Sequence, residues 1–198
     1  MFNSNYFYSR YKKLYKLYRR AAEITNVPPH FLAALHYREN AFRIKTPGPG
    51  GPMQFDPPLS KKRIQQLLTD YTDLTKDLVE KFTEHGQDNI FVAVILSGCF
   101  VQAKLKYDGK KYLTKDMNAR KHQEILMRAF ELYNGTAYGS CWRSPYVANM
   151  LDKNHMNMRI RGTYLDKKGF RRSVNTIDRR PGAYTVFKYL DNAFNHQW

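Results

Sequence analysis

Hydrophobic and polar positions recur with a helical rather than a strand-like period over most of this chain. Across 5–24, Phe7, Tyr11, Leu14, Tyr18 and Ala21 share one stripe, and Arg10, Lys12, Lys13, Lys16, Arg19 and Arg20 crowd the rest. That pattern predicts an amphipathic helix whose Tyr/Leu stripe packs on the domain, although a basic helix of this kind also suits an anionic surface. A second helix is expected after Asn26 as N-cap, with Pro28 and Pro29 tolerated in its first turn. On it Leu32, Leu35 and His36 make a core-facing stripe, and one further turn lands on Glu39.

Pro57 and Pro58 break the pattern. Ser60 then predicts an N-cap for a helix over 61–70, with Leu59 and Ile64 as a staple across it. Thr72 is expected to open another helix, closed by Gly86. The segment 87–106 contains IFVAVILSGCFV, apolar on nearly every face, which predicts a central buried helix. Residues 107–118 read as a turn-rich connection and 119–133 as a helix stopped by Gly135. Ser144-Pro145 predicts a short helix to about Lys153. MRIRGTYL and FRRSVNT alternate with period two and predict a basic β-hairpin turned at DKKG. Pro181 begins a terminal helix through Val186, Phe187, Leu190 and Phe194. The expected fold is mainly α, a helical globule around a buried central helix with one small β-hairpin near the C-terminus. One domain over 1–198 is expected, with a core at about 25–155, a basic N-terminal helix at 5–24, and the hairpin and terminal helix at 157–198.

Charge changes the picture of partners. With 33 Lys and Arg against 17 Asp and Glu, the chain carries +16. Such a field favours polyanions, whether nucleic acid, anionic lipid or an anionic cell wall. The first residues lack a signal peptide's apolar stretch, and the longest apolar run is shorter than the roughly 20 residues that span a bilayer. No membrane span is therefore expected. Cys99 lies in the apolar run and Cys141 in a polar stretch, which supports a disulfide only weakly. His36, His85, His122 and His155 show no metal-ligand spacing, so neither metal nor organic cofactor is implied.

Chemistry concentrates at 31–56, FLAALHYRENAFRIKTPGPGGPMQFD. A carboxylate on the buried face of a helix is costly as an anion, so burial would raise the pKa of Glu39 toward that of a general acid. The PGPGGP loop at 47–52 is too rich in Gly and Pro for regular structure, and its glycines allow close backbone approach to a ligand. ENAF followed by GGPMQFD resembles the first two motifs of the goose-type lysozyme and soluble lytic transglycosylase superfamily. Glu39, Phe42, Gly48, Gly51, Met53 and Gln54 occupy the matching places; Asn40 stands where Ser is usual, and the spacer is short. LYNGTAYGS and SPYVANMLD resemble the superfamily's later motif, with Tyr133, Asn134, Tyr146 and Val147 matching. The resemblance spans about 25–150.

That resemblance implies a lysozyme-like domain that cuts the β-1,4 bond between N-acetylmuramic acid and N-acetylglucosamine in peptidoglycan. Glu39 would be the acid, and Gln54, Met53, Gly51, Tyr133, Asn134 and Tyr146 would line the substrate site. Asp56 holds the place of the goose-type base, which would make the enzyme a hydrolase, yet the same residue also suits a turn before Pro57 in a transglycosylase. Hydrolysis is slightly favoured, because a carboxylate desolvated beside a cleft needs a reason to be there. The small basic chain without a signal peptide is similar to a phage endolysin or virion-associated lysin, held in the host cytoplasm or on the virion until it reaches the wall. Peptidoglycan strands and the anionic envelope are the expected partners, and a monomer is expected. The rival readings are a nucleic-acid-binding virion protein, for which no specific recognition motif stands in the chain, and an inactive wall-binding module.

Overall fold

The computed structural model describes residues 4–45, 50–107, 109, 112–133, 148–151, 158–165, 171–178 and 183–194. These are mainly helical: α1 (Ser4–Thr25), α2 (Pro29–Asn40), α3 (Lys61–Tyr71), α4 (Lys76–His85), α5 (Ile90–Tyr107), α6 (Gln123–Tyr133) and α7 (Ala183–Ala193). The apolar run becomes α5, and Val92 through Cys99 are buried without a break. Helices α1, α3, α6 and α2 pack around it, while α7 lies on α2. Gly98 lets α1 end against α5, since a Cβ there would come 2.9 Å from Thr25 Oγ1. By length and composition alone, α5 is the one described helix long and apolar enough to cross a membrane, at 18 residues and mean hydropathy 1.5. Here 61% of it is buried inside the fold, as in the core helix of a globular protein.

The stripe of α1 packs inward as expected: Phe7, Tyr11, Tyr18 and Ala21 are buried. Lys12, Lys13, Lys16, Arg19 and Arg20 are exposed. Ser60 caps α3, its Oγ accepting the Arg63 N–H at 3.2 Å. Gly86 ends α4 at φ 64°, a backbone state that favours glycine.

Several boundaries fall elsewhere than the pattern predicts. Asn26 does not cap α2; Pro28 holds that position, and Asn26 Oδ1 instead accepts the Lys115 N–H at 3.2 Å. Thr72 terminates α3, its Oγ1 donating to the Leu68 carbonyl at 2.6 Å, and α4 starts only after Thr75. Helix α6 starts at Gln123 rather than Ala119, whose N–H is taken at 2.9 Å by Asp191 Oδ2 of α7. The helix expected from Ser144 is overturned, because Ala148–Leu151 is a strand, β1. It pairs antiparallel with β2 (Met158–Leu165), in register Ala148↔Arg161 to Leu151↔Met158, and β2 pairs with β3 (Arg171–Asp178). A helix as short as the one expected is marginal on its own, and cross-strand pairing decides the state of Ala148–Leu151. The simple two-stranded hairpin is therefore not supported: the pairing involves three strands, and the expected DKKG turn lies outside the described residues.

Candidate active site

Helix α2 is less amphipathic than its stripe implies. Pro29 through His36 are all buried, and only the last turn, Tyr37–Asn40, emerges half-buried. Glu39 sits in that turn. The chain then turns through two successive left-handed residues, Ala41 at φ 57° and Phe42 at φ 63°. Non-glycine residues pay for that conformation, on the order of 1–2 kcal/mol each. Complete burial of Phe42, its ring centroid 5.1–6.4 Å from those of Phe7, Tyr11, Tyr18, His36 and Tyr37, offsets the cost.

Polar side chains fix the same turn. The Arg43 carbonyl accepts from His36 Nε2 at 2.9 Å and from Asn40 Nδ2 at 3.0 Å, while Asn40 Oδ1 accepts the Arg43 N–H at 2.8 Å. A carbonyl can only accept, so His36 carries its proton on Nε2, and the Tyr18 hydroxyl donates to Nδ1 at 2.7 Å. Burial holds the His36 imidazole down at about pKa 4, against the opposite pull of the Arg43 carbonyl and the Asn40 side chain. His36 is thus a neutral core histidine one turn before Glu39.

The second predicted segment is a tight loop. Phe55 N–H donates to the Gly50 carbonyl at 2.9 Å, and the Gln54 N–H and Nε2 both donate to the Gly51 carbonyl, at 3.0 and 2.9 Å. Gly51 has φ +64°, and a Cβ there would stand 2.2 Å from the Gln87 carbonyl oxygen, so no side chain fits. Gln87 is buried, and its side-chain Oε1 accepts the Leu59 N–H at 2.9 Å, which ties the chain after the loop to the same residue. Gln54 is exposed at φ 53° and spends one amide hydrogen within the loop.

Two donors from different helices then seize successive carbonyls of this loop. Asn40 Nδ2, from the end of α2, donates to Pro52, and the Tyr133 hydroxyl, from the end of α6, donates to Met53 at 3.0 Å. Burial pushes the Tyr133 phenol well above its ordinary range, and the Glu39 carboxylate adds to the shift. Glu39, the Gly51–Gln54 loop and Tyr133 therefore share one place, although Met53 and Tyr133 are 80 residues apart in sequence. An acid, a backbone-lined loop and a desolvated phenol so arranged can donate a proton to a bound oxygen and hold polar substituents near it.

Not every expected contact fits. The Met53 side chain is completely buried, so it packs rather than meeting a substrate, and its part is the carbonyl offered to Tyr133. Asp56 is exposed, which removes the desolvation argument for its role. Cys99 is a buried free thiol pushed up to about 12 by burial, no reactive nucleophile. Gly48, Asn134, Cys141, Tyr146 and Val147 lie outside the described residues. Pattern reading missed Phe100, whose ring centroid is 6.1 Å from that of Phe55 and 6.0 Å from that of Tyr133. Its signal was the end of the apolar run, where Lys104 is the first charge on α5. No family model, curated protein or solved structure matches the chain.

Proposed function

We propose that this chain is a peptidoglycan-cleaving glycosidase of lysozyme-like fold that cuts the β-1,4 bond between N-acetylmuramic acid and N-acetylglucosamine. The observation that supports this reading is the meeting of Glu39, the Gly51–Gln54 loop and Tyr133, the three segments that resemble successive motifs of one superfamily. Glu39 protonates the glycosidic oxygen as the bond breaks through an oxocarbenium-like transition state. Gln54 and the Tyr133 end of α6 hold the sugar's polar substituents. Asp56 lies in the open beside the loop, where water is at hand for a base to activate, and hydrolysis remains the preferred outcome. The charge of +16 concentrates the enzyme at an anionic envelope. Delivery from the host cytoplasm or the virion of a phage belongs to the same proposal.

The test is clearing of purified peptidoglycan, with intact masses of the fragments, for wild type and Glu39→Gln. The amide keeps the shape of the side chain and removes its proton. Loss of general acid catalysis is expected to slow turnover about 10²–10⁴-fold. Retention of more than about a tenth of wild-type turnover, with an intact fold, overturns the assignment.

A further inference from the structure

Helix α5 is closed on all sides from Val92 to Cys99 and then opens along one face. Phe100, Ala103 and Lys104, at i, i+3 and i+4, are each half-buried, whereas Val101, Gln102 and Leu105 between them stay inside. This open face adjoins the candidate active site. The Phe100 ring meets those of Tyr133 and Phe55 edge-on, at 85° and 73°. The Lys104 ammonium lies 5.1 Å from the Phe100 centroid. No salt bridge to an acidic side chain is present for Lys104 among the described residues. The central helix thus surfaces beside Tyr133 with an aromatic ring, a small residue and a cation in a row.

Resting on the glycosidase reading, we infer that Phe100, Ala103 and Lys104 form a saccharide subsite selective for a sugar that carries a carboxylate. The apolar C–H face of a pyranose suits a half-open aromatic surface, and Ala103 leaves room beside it. A carboxylate on that sugar reaches the Lys104 ammonium, the only member of the row with charge to offer it. The aromatic member serves any sugar. The lysine separates an acidic glycan from a neutral one of the same backbone.

The probes are glycan strands stripped of their peptides, which expose lactyl carboxylates, and the same strands with those carboxylates converted to methylamides. Wild-type full-length chain is expected to prefer the acidic strand in kcat/KM by about tenfold, the size of one charge-assisted hydrogen bond. Lys104→Gln should reduce that preference to within about twofold by raising KM on the acidic strand, with the neutral strand little changed, and Lys104→Arg should restore it. Lys106→Gln removes the same charge from an exposed position on α5 and is expected to leave the preference intact. Equal effects of Lys104→Gln and Lys106→Gln, or equal losses on both strands, overturn the subsite in favour of bulk attraction. If wild type cleaves neither strand, the glycosidase reading fails by itself. Calorimetric binding of the acidic strand then decides the subsite: dependence on Lys104 upholds it, and binding that ignores Lys104, or no binding, overturns it.

Discussion

Two loops are clamped to the helical core by side chains, and they are clamped differently. Residues 112–119 are held by Gln102, whose Nε2 donates to the Leu113 carbonyl at 2.9 Å and the Thr25 carbonyl at 3.3 Å, and whose Oε1 accepts the Leu113 N–H at 3.0 Å. Gln102 and Leu113 are buried, and so is Asp191, which takes the Ala119 N–H. Residues 50–55 are held by Asn40 and Tyr133, which are half-buried and sit beside Glu39. A fully buried amide clamp has no path to a ligand, so its bonds serve only to satisfy backbone that folding removes from water. A half-open clamp leaves polar groups within reach of a substrate while fixing where they point. The first loop should therefore answer to mutation in stability, and the second in activity.

The largest separation is expected from Glu39→Gln, where a turnover loss of about 10²–10⁴-fold should come with a midpoint of thermal unfolding little changed from wild type. A large fall in thermal stability from that single change would blur the contrast between the two loops. Asp56→Asn comes next. Mass spectrometry of a muropeptide digest is expected to show reducing muramic ends for wild type and, on the order of 10²-fold more slowly, for the variant. Exclusively 1,6-anhydro products, lighter by one water and undiminished in the variant, would make the enzyme a transglycosylase and leave Asp56 as a turn residue.

Acid should strain the turn behind Glu39. The folded pKa of His36 is held down to about 4, below the 6.5 of a free imidazole, so between those values the unfolded chain binds the proton first. Stability from this group is complete above pH 6.5 and falls as the pH drops from about 6.5 to 4, by on the order of 3 kcal/mol. Urea titrations across that range check the slope. His36→Gln can still accept from Tyr18 and donate to Arg43 but cannot titrate, and it should flatten the curve. At the other loop, Gln102→Leu strands the Leu113 N–H and carbonyl in the core. The expected cost is about 2–3 kcal/mol, or roughly 5–10 °C in melting, with unchanged kcat.

How legible these two loops were beforehand follows from the range of the forces that make them. Helices α1, α3 and α5 and the end of α4 stood out because the apolar patterns, the Ser60 cap and the Gly86 stop are local features, decided within a few residues. Glu39, Gly51 and Tyr133 were each found as motif members, yet nothing local said that Tyr133 would donate to Met53 or that Asn40 would reach Pro52. The Gln102 clamp left no trace in the pattern, since a glutamine in an apolar run looks like a tolerated impurity until its partner strand of chain is in place. Thr72 and Thr75 both read as caps, but the Thr72 hydroxyl is spent on the Leu68 carbonyl behind it, and Thr75 holds the N-cap position of α4 without a side-chain bond. Asn26 looked like a cap as well, but the loop at Lys115 claimed its side chain.

The smallest and sharpest test of the contrast is Tyr133→Phe. It deletes one hydroxyl and one hydrogen bond, leaving the ring against Phe55 and Phe100. A single neutral bond contributes about 0.5–1.5 kcal/mol, so melting should fall by only a few degrees. The Met53 carbonyl then loses its donor from α6, and Asn40 alone holds the loop from the α2 side. Glu39 also loses the phenol that it acts on at present. If the half-open clamp exists to aim these groups, kcat on glycan strands should drop about three- to tenfold, beyond what the loss of stability predicts at a temperature far below melting. The paired control is Tyr18→Phe, which removes a fully buried phenol from His36, on the core side of the same turn. It should cost similar stability and leave kcat nearly unchanged. Equal losses of activity in both variants would mean that the turn responds as one rigid block, and that the half-open clamp is no more functional than the buried one.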